Sequence, residues 1–238
     1  MKLGYGSGAI AEYPWHIDGT KPWTEVDQAH AEECLRALPT LGIEWVDTAH
    51  RYGGGLSEEL IGRVCTSETK VITKVELGPR TEMEKQIELS RKRLGRTPDV
   101  ILLHNADFRQ KIAIREAISL LADSALVCGL STEPVVEAIP FLEDDKVGAI
   151  EFPYSKWDKR AEDSLFRAIK FKKGVLSIAN RVLGGPRLRH KLHPFLVYDA
   201  LAFVHDKSEI IDLALIGTTN MGHLSECSQI MAKLNGAD

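Results

Sequence analysis

The chain predicts an α/β fold, a single (β/α)8 TIM barrel with short loops over residues 1–238. Three observations predict it. Apolar, strand-like runs alternate with stretches of helical apolar spacing from one end to the other. Short connections join them as strand–helix units, which demand parallel strands. Eight such units in 238 residues suit a closed barrel better than an open, doubly wound sheet. No linker, low-complexity run or shift of composition marks a second domain.

Residues 1–11, MKLGYGSGAIA, predict a short Gly-rich first strand. Helical apolar spacing follows over 26–38 and ends near Pro39 and Gly42. A strand at 43–49 leads to a helix at 57–65, with Ser57 as its expected N-cap. KVITKVE (70–76) predicts the third strand, and 81–95 its helix. DVILLHN (99–105) is almost entirely apolar, which marks a strand covered on both faces. A helix at 107–122 and a strand at 124–132 come next. The fifth helix is expected over 133–143, with Pro134 in its first turn, before a strand at 147–155. Helix 160–174, strand 174–183, a basic loop at 184–194 and helix 195–206 follow. Strand 211–219 and helix 221–235 close the chain.

A net charge of −4 gives no electrostatic case for nucleic acid or an anionic membrane as partner. Cys34, Cys65, Cys128 and Cys227 are scattered without metal-like spacing and read as reduced thiols. No basic segment precedes an apolar run, and nothing approaches the ~20 apolar residues of a membrane span. These features predict a cytoplasmic protein. His190 and His193 form an H-x-x-H without a third ligand nearby, so no metal is expected. Gly4, Gly6 and Gly8 lack dinucleotide-fingerprint spacing and predict close approach within strand one.

Four residues stand at or just past strand ends: Asp47 and Tyr52 after strand two, Lys74 after strand three and His104 after strand four. Barrel active sites lie at the C-terminal ends of the strands, so all four are expected at one mouth. Gly53, Gly54 and Gly55 follow the tyrosine. An acid, a phenol, a lysine and a histidine in one place suit proton transfer better than packing.

DTAHRYGGGLSEELIG (47–62) resembles the Asp-Thr-Ala-x-x-Tyr-Gly-x-x-x-Ser-Glu motif of the aldo-keto reductase family. TK at 73–74 and LLH at 102–104 are similar to the family's lysine and histidine. GLST (129–132) resembles its Gly-x-Ser-Asn strand, and IEFPYS (150–155) its Gln-x-x-Tyr strand. IGTTNMGHLSEC (216–227) resembles the segment that holds the cofactor's adenosine phosphate. The resemblance implies hydride transfer between NADP(H) and a small carbonyl or alcohol substrate. Tyr52 is then the general acid/base, Lys74 and Asp47 tune it, and His104 orients the carbonyl. An ammonium about 4 Å away stabilises tyrosinate by roughly 4 kcal/mol at an effective dielectric of about 20. The cofactor positions implied are Ser131, Thr132, Glu151, Tyr154, Arg181, Gly217, Thr218, His223 and Glu226.

The chain departs from that family in three ways. Glu151 stands where a glutamine usually binds the nicotinamide carboxamide, and Thr132 where an asparagine is usual. An ionised Glu151 about 6 Å from the ring favours the oxidised cofactor by up to about 3 kcal/mol. Gly217 and His223 occupy the places of the cations for the 2′-phosphate, so NAD(H) is an open alternative to NADP(H). Arg181, Arg187 and Arg189 either grip the diphosphate or form a solvated basic loop. The chain also lacks the family's N-terminal hairpin and long C-terminal loop, and strand seven carries Asn180 or Arg181 where many members stack an aromatic. The pocket is expected to be open, suited to a bulky substrate, or completed by a second copy in a homo-oligomer, with Tyr13, Trp15 and Trp23 either facing substrate or packing over the barrel rim. Two other readings stay open: non-hydride epimerase or lyase chemistry on the same four residues, and a nucleotide-sensing or scaffold role.

Overall fold

A computed structural model describes residues 1–10, 25–185 and 194–237. Its strands close into one parallel barrel in sequence order. They are β1 (Lys2–Gly6), β2 (Trp45–Asp47), β3 (Lys70–Glu76), β4 (Val100–His104), β5 (Val127–Ser131), β6 (Val147–Pro153), β7 (Leu176–Asn180) and β8 (Leu213–Ile216). The α-helices are α1 (Glu25–Ala37), α2 (Leu56–Val64), α3 (Arg80–Leu94), α4 (Lys111–Ala122), α5 (Leu165–Lys172), α6 (Pro194–His205) and α7 (Met221–Leu234).

Strand alternation divides the apolar core in two. Ile72, Val100, Leu102, Ala149, Ile178, Leu213 and Leu215 fill the barrel lumen. The alternate residues, such as Val71, Ile101 and Ile150, pack outward against helix residues such as Leu60, Ile87 and Ile118. All five residues of β4 are buried, as a strand covered on both faces requires. Gly4 allows a close approach between β1 and the lumen core: a Cβ there would lie 2.8 Å from Leu215 Cδ2.

The structure corrects several expected elements. Residues 133–143 form turns and a 3-10 helix at Ile139–Phe141, not an α-helix. Pro140 explains this, because it lacks an N–H and its ring clashes with the carbonyl four residues before it. Residues 160–164 are turns, and α5 begins only at Leu165. A local bond from Arg160 Nε to Asp158 Oδ1 at 2.9 Å competes with helix there. Asp107 takes Arg109 in the same manner, at 2.8 Å, and α4 starts at Lys111. Ser57 is not an N-cap but lies inside α2, whose cap position is Gly55.

No helix among the described residues is long and apolar enough to cross a membrane. The four cysteines are free.

Candidate active site

The lumen core ends in a polar layer, and alternation places it. Two residues beyond Ile72, Leu102, Ala149 and Ile178 come Lys74, His104, Glu151 and Asn180, all on the inward face. Asp47 and Ser131 hold the same positions in β2 and β5, after Trp45 and Gly129. The C-terminal ends of six strands thus deliver six polar side chains to one mouth.

Lys74 is the centre of the layer and is 1% exposed. Its Nζ forms a short ion pair with Asp47 Oδ1 and donates to the Thr48 carbonyl at 2.9 Å. Glu151 Oε2 lies 3.2 Å from the same Nζ, a second buried carboxylate on one ammonium. Nζ stands 5.5 Å from the centre of the Tyr52 ring. Tyr52 meets His104 edge to face, with ring centres 6.0 Å apart. The structure therefore brings Asp47, Tyr52, Lys74 and His104 together, and it adds Glu151 to them.

The charges explain the proton affinities. Burial opposes the Lys74 ammonium, but Asp47, Glu151 and Tyr52 outweigh it and hold the group well above the usual lysine range. Burial pushes the Asp47 carboxyl up, and the Glu151 charge adds to it against the pull of Lys74. His104 has a partner that sequence reasoning missed: its Nδ1 lies 2.9 Å from Glu76 Oε1. Burial raises the Glu76 carboxyl, but the His104 bond and the nearby charges of His104 and Arg51 hold it below the usual range.

Tyr52 is presented by a 3-10 turn, Tyr52–Gly55, whose glycines take left-handed φ values of 59° at Gly53, 67° at Gly54 and 107° at Gly55. Arg93 of α3 ties this turn down. It donates to the carbonyls of His50 at 3.2 Å and Gly54 at 3.0 Å, and to Glu58 Oε2 at 3.3 Å. Glu58 is fully buried and also accepts from Thr73 Oγ1 at 2.6 Å. A Cβ on Gly55 would lie 2.1 Å from Arg93 Cζ. Below the turn, Thr48 Oγ1 donates to Ser57 Oγ at 2.8 Å, which donates to Ser7 Oγ at 2.7 Å. Glu58 stood inside the quoted motif, whereas nothing in the run RKRLG singled out Arg93.

The expected cofactor positions divide. Ser131 Oγ donates to Glu151 Oε1 at 3.2 Å, and Asn180 Nδ2 donates to the same oxygen at 2.8 Å. Thr132 turns away and donates to the Pro134 carbonyl at 3.1 Å. Tyr154 is buried on the outward side, where it bonds Glu162 Oε1 at 2.5 Å and stacks on Phe203. Arg181 has a left-handed φ of 55° and pairs with Glu133 across the rim. Gly217 is exposed just past β8. The Thr218 carbonyl accepts from Tyr5 Oη at 2.6 Å. Asn220 caps α7 by accepting from the His223 N–H at 3.1 Å, and Glu226 is half-buried on the same helix. Tyr13, Trp15, Trp23, Arg187, Arg189, His190 and His193 lie outside the described residues.

Two hollows lie elsewhere. One of about 350 Å³ sits at the N-terminal end of the strands, beside Lys2, Trp45 and Lys70. One of about 700 Å³ is lined by Pro79, Met83, Ala117 and Leu120. Neither touches the polar layer, where the buried charges mark the candidate chemistry.

A family model described as the aldo/keto reductase family matches residues 3–195. Aldo-keto reductase YhdN of Bacillus subtilis (strain 168) is 26% identical over 183 residues, which are 68% of this chain and 54% of that protein. The chain thus spans about half the length of this curated relative. Among solved structures, aldo-keto reductase AKR11C1 of Bacillus halodurans in its holo form is similar at TM-score 0.75 and 19% identity, over 97% of this chain and 86% of that one. An aldo/keto reductase of Klebsiella pneumoniae in complex with NADP and acetate gives TM-score 0.72 and 17% identity, over 98% and 89% of the two chains.

Proposed function

The chain belongs to the aldo/keto reductase family, and from that premise we propose that it is an NADP(H)-dependent oxidoreductase interconverting a small carbonyl compound and its alcohol. The observation that carries the reading is the buried ion pair of Lys74 with Asp47, 5.5 Å from the Tyr52 ring. A lysine held charged so firmly lowers the cost of tyrosinate, so Tyr52 serves as general acid in reduction and general base in oxidation. Asp47 holds the ammonium in place, and the Thr48 carbonyl takes a second of its protons. With Nδ1 against Glu76, His104 has only Nε2 left for a substrate oxygen.

A dinucleotide needs an anion site as well as a ring site, and the residues fit both. The N-terminus of α7, capped by Asn220 beyond Gly217 and Thr218, is the candidate anion site at the end of β8. Ser131, Glu151 and Asn180 line the ring side of the layer. When bound, the cofactor supplies or takes the hydride. The solved Klebsiella pneumoniae structure in complex with NADP supports this choice. Gly217 and His223 keep NAD(H) open as the alternative, since no guanidinium stands at either position.

Titration with NADPH, NADP⁺, NADH and NAD⁺, followed by nicotinamide and protein fluorescence, tests the proposal. Micromolar binding of at least one is expected, with the phosphorylated forms tighter. No binding at millimolar concentration would overturn it.

A further inference from the structure

At the end of β7 the polar layer holds a buried amide oxygen that the proposed proton chemistry leaves unused. Asn180 ends β7 on the inward face, two residues beyond Ile178 of the lumen core. Its Nδ2 donates to Glu151 Oε1 at 2.8 Å. A carboxylate only accepts, so this bond fixes which end of the amide is which. Oδ1 is therefore the end turned from Glu151. It is buried and has no hydrogen-bond partner among the described residues. Buried amide oxygens are nearly always paired, and an orphan at a barrel mouth calls for a donor from outside.

The surroundings say what kind of donor. Glu151 Oε1 already accepts from both Ser131 and Asn180, and Oε2 faces Lys74 at 3.2 Å. A bond from Nδ2 to a carboxylate polarises the amide and strengthens Oδ1 as an acceptor. Glu151 touches both Lys74 and Asn180, so one side chain ties this acceptor to the proton-transfer cluster. We propose that Asn180 Oδ1 accepts an N–H from the carboxamide of a nicotinamide cofactor, with Glu151 as the positioning residue that aims it. This inference rests on the proposed use of such a cofactor.

The test uses NADP⁺, its 3-acetylpyridine analogue and 2′,5′-ADP as probes, with binding to wild type and Asn180→Ala measured by calorimetry. The analogue carries a methyl ketone in place of the carboxamide and so has no N–H. The ADP probe has no ring. Wild type should bind NADP⁺ about tenfold or more tighter than the analogue. Asn180→Ala should bind NADP⁺ about tenfold more weakly, lose the preference between the two forms and hold 2′,5′-ADP unchanged. A variant that keeps the preference overturns the inference. Wild type binding both forms equally overturns it too, and that comparison stands even if the variant does not fold. Wild type that binds 2′,5′-ADP and both nucleotides without preference removes this inference alone. Wild type that binds none of the three removes the proposed function along with it.

Discussion

Lys74 faces two carboxylates, and that imbalance governs what single substitutions do. Asp47 and Glu151 share one ammonium in a site where burial and mutual repulsion already disfavour the charged Asp47. Removing the second negative charge by Glu151→Gln should stabilise the fold by about 1 kcal/mol, or roughly 2–4 °C in a chain of this size. Thermal melts of the two proteins decide it, and a lower melting temperature in the variant contradicts the account. The same substitution should shift the ratio of NADP⁺ to NADPH affinity a few-fold toward NADPH, because the ring loses a nearby negative charge. The shift stays below the full ~3 kcal/mol of an unpaired carboxylate because Lys74 lies 3.2 Å from Glu151. An unchanged ratio ends the idea. Glu76 has the opposite sign from Asp47. Its carboxyl is held low by His104, so the pair contributes stability above the unfolded pKa of about 4.3 and loses it as pH falls through the folded value. Urea melts of wild type and Glu76→Gln should therefore differ at neutral pH and converge below about pH 4. A gap that does not change with pH contradicts the assignment.

At the scale of elements, the turn carrying Tyr52 depends on a helix that is remote in sequence. Arg93 in α3 fixes His50, Gly54 and Glu58 on either side of the tyrosine. Arg93→Met leaves Glu58 buried without its cation, a loss of about 3 kcal/mol in stability. Gly55→Ala drives a methyl into the guanidinium and forces alanine into a left-handed φ of 107°. Both variants should lose turnover through the displaced turn, and hydrogen exchange in residues 49–56 should rise. Unchanged exchange there removes Arg93 from that role. The elements themselves differ in how far sequence revealed them. β4 was plain because VILLH is wholly apolar, and β3 was read with its observed ends at Lys70 and Glu76. The expected helix at 133–143 failed because Pro140 outweighs its apolar spacing. The starts of α4 and α5 moved inward because Asp107 and Asp158 fold their own arginines into turns.

For the whole molecule, barrel closure separates what sequence shows from what it hides. The eightfold alternation is legible, as are Asp47, Tyr52, Lys74 and His104, because each lies in or just past the C-terminal part of its strand. Glu76 beside His104 and Arg93 beside Glu58 are not, since 28 and 35 residues separate the partners. In the sequence Asn180 shows only as a missing aromatic, and its bond to Glu151 appears once β6 and β7 pair in register. Thr132 and Tyr154 fit the motif in one dimension, but Thr132 bonds the Pro134 carbonyl and Tyr154 bonds Glu162. The proposed proton transfer by Tyr52 to a carbonyl during hydride transfer is tested most directly by NADPH oxidation against a panel of aldehydes and ketones, for wild type and Tyr52→Phe, with NADPH affinity measured on both. Wild type should form one alcohol per NADPH consumed, and the variant should bind NADPH within about twofold yet turn over some 10²–10⁴-fold more slowly. A Tyr52→Phe variant that keeps the wild-type rate contradicts it.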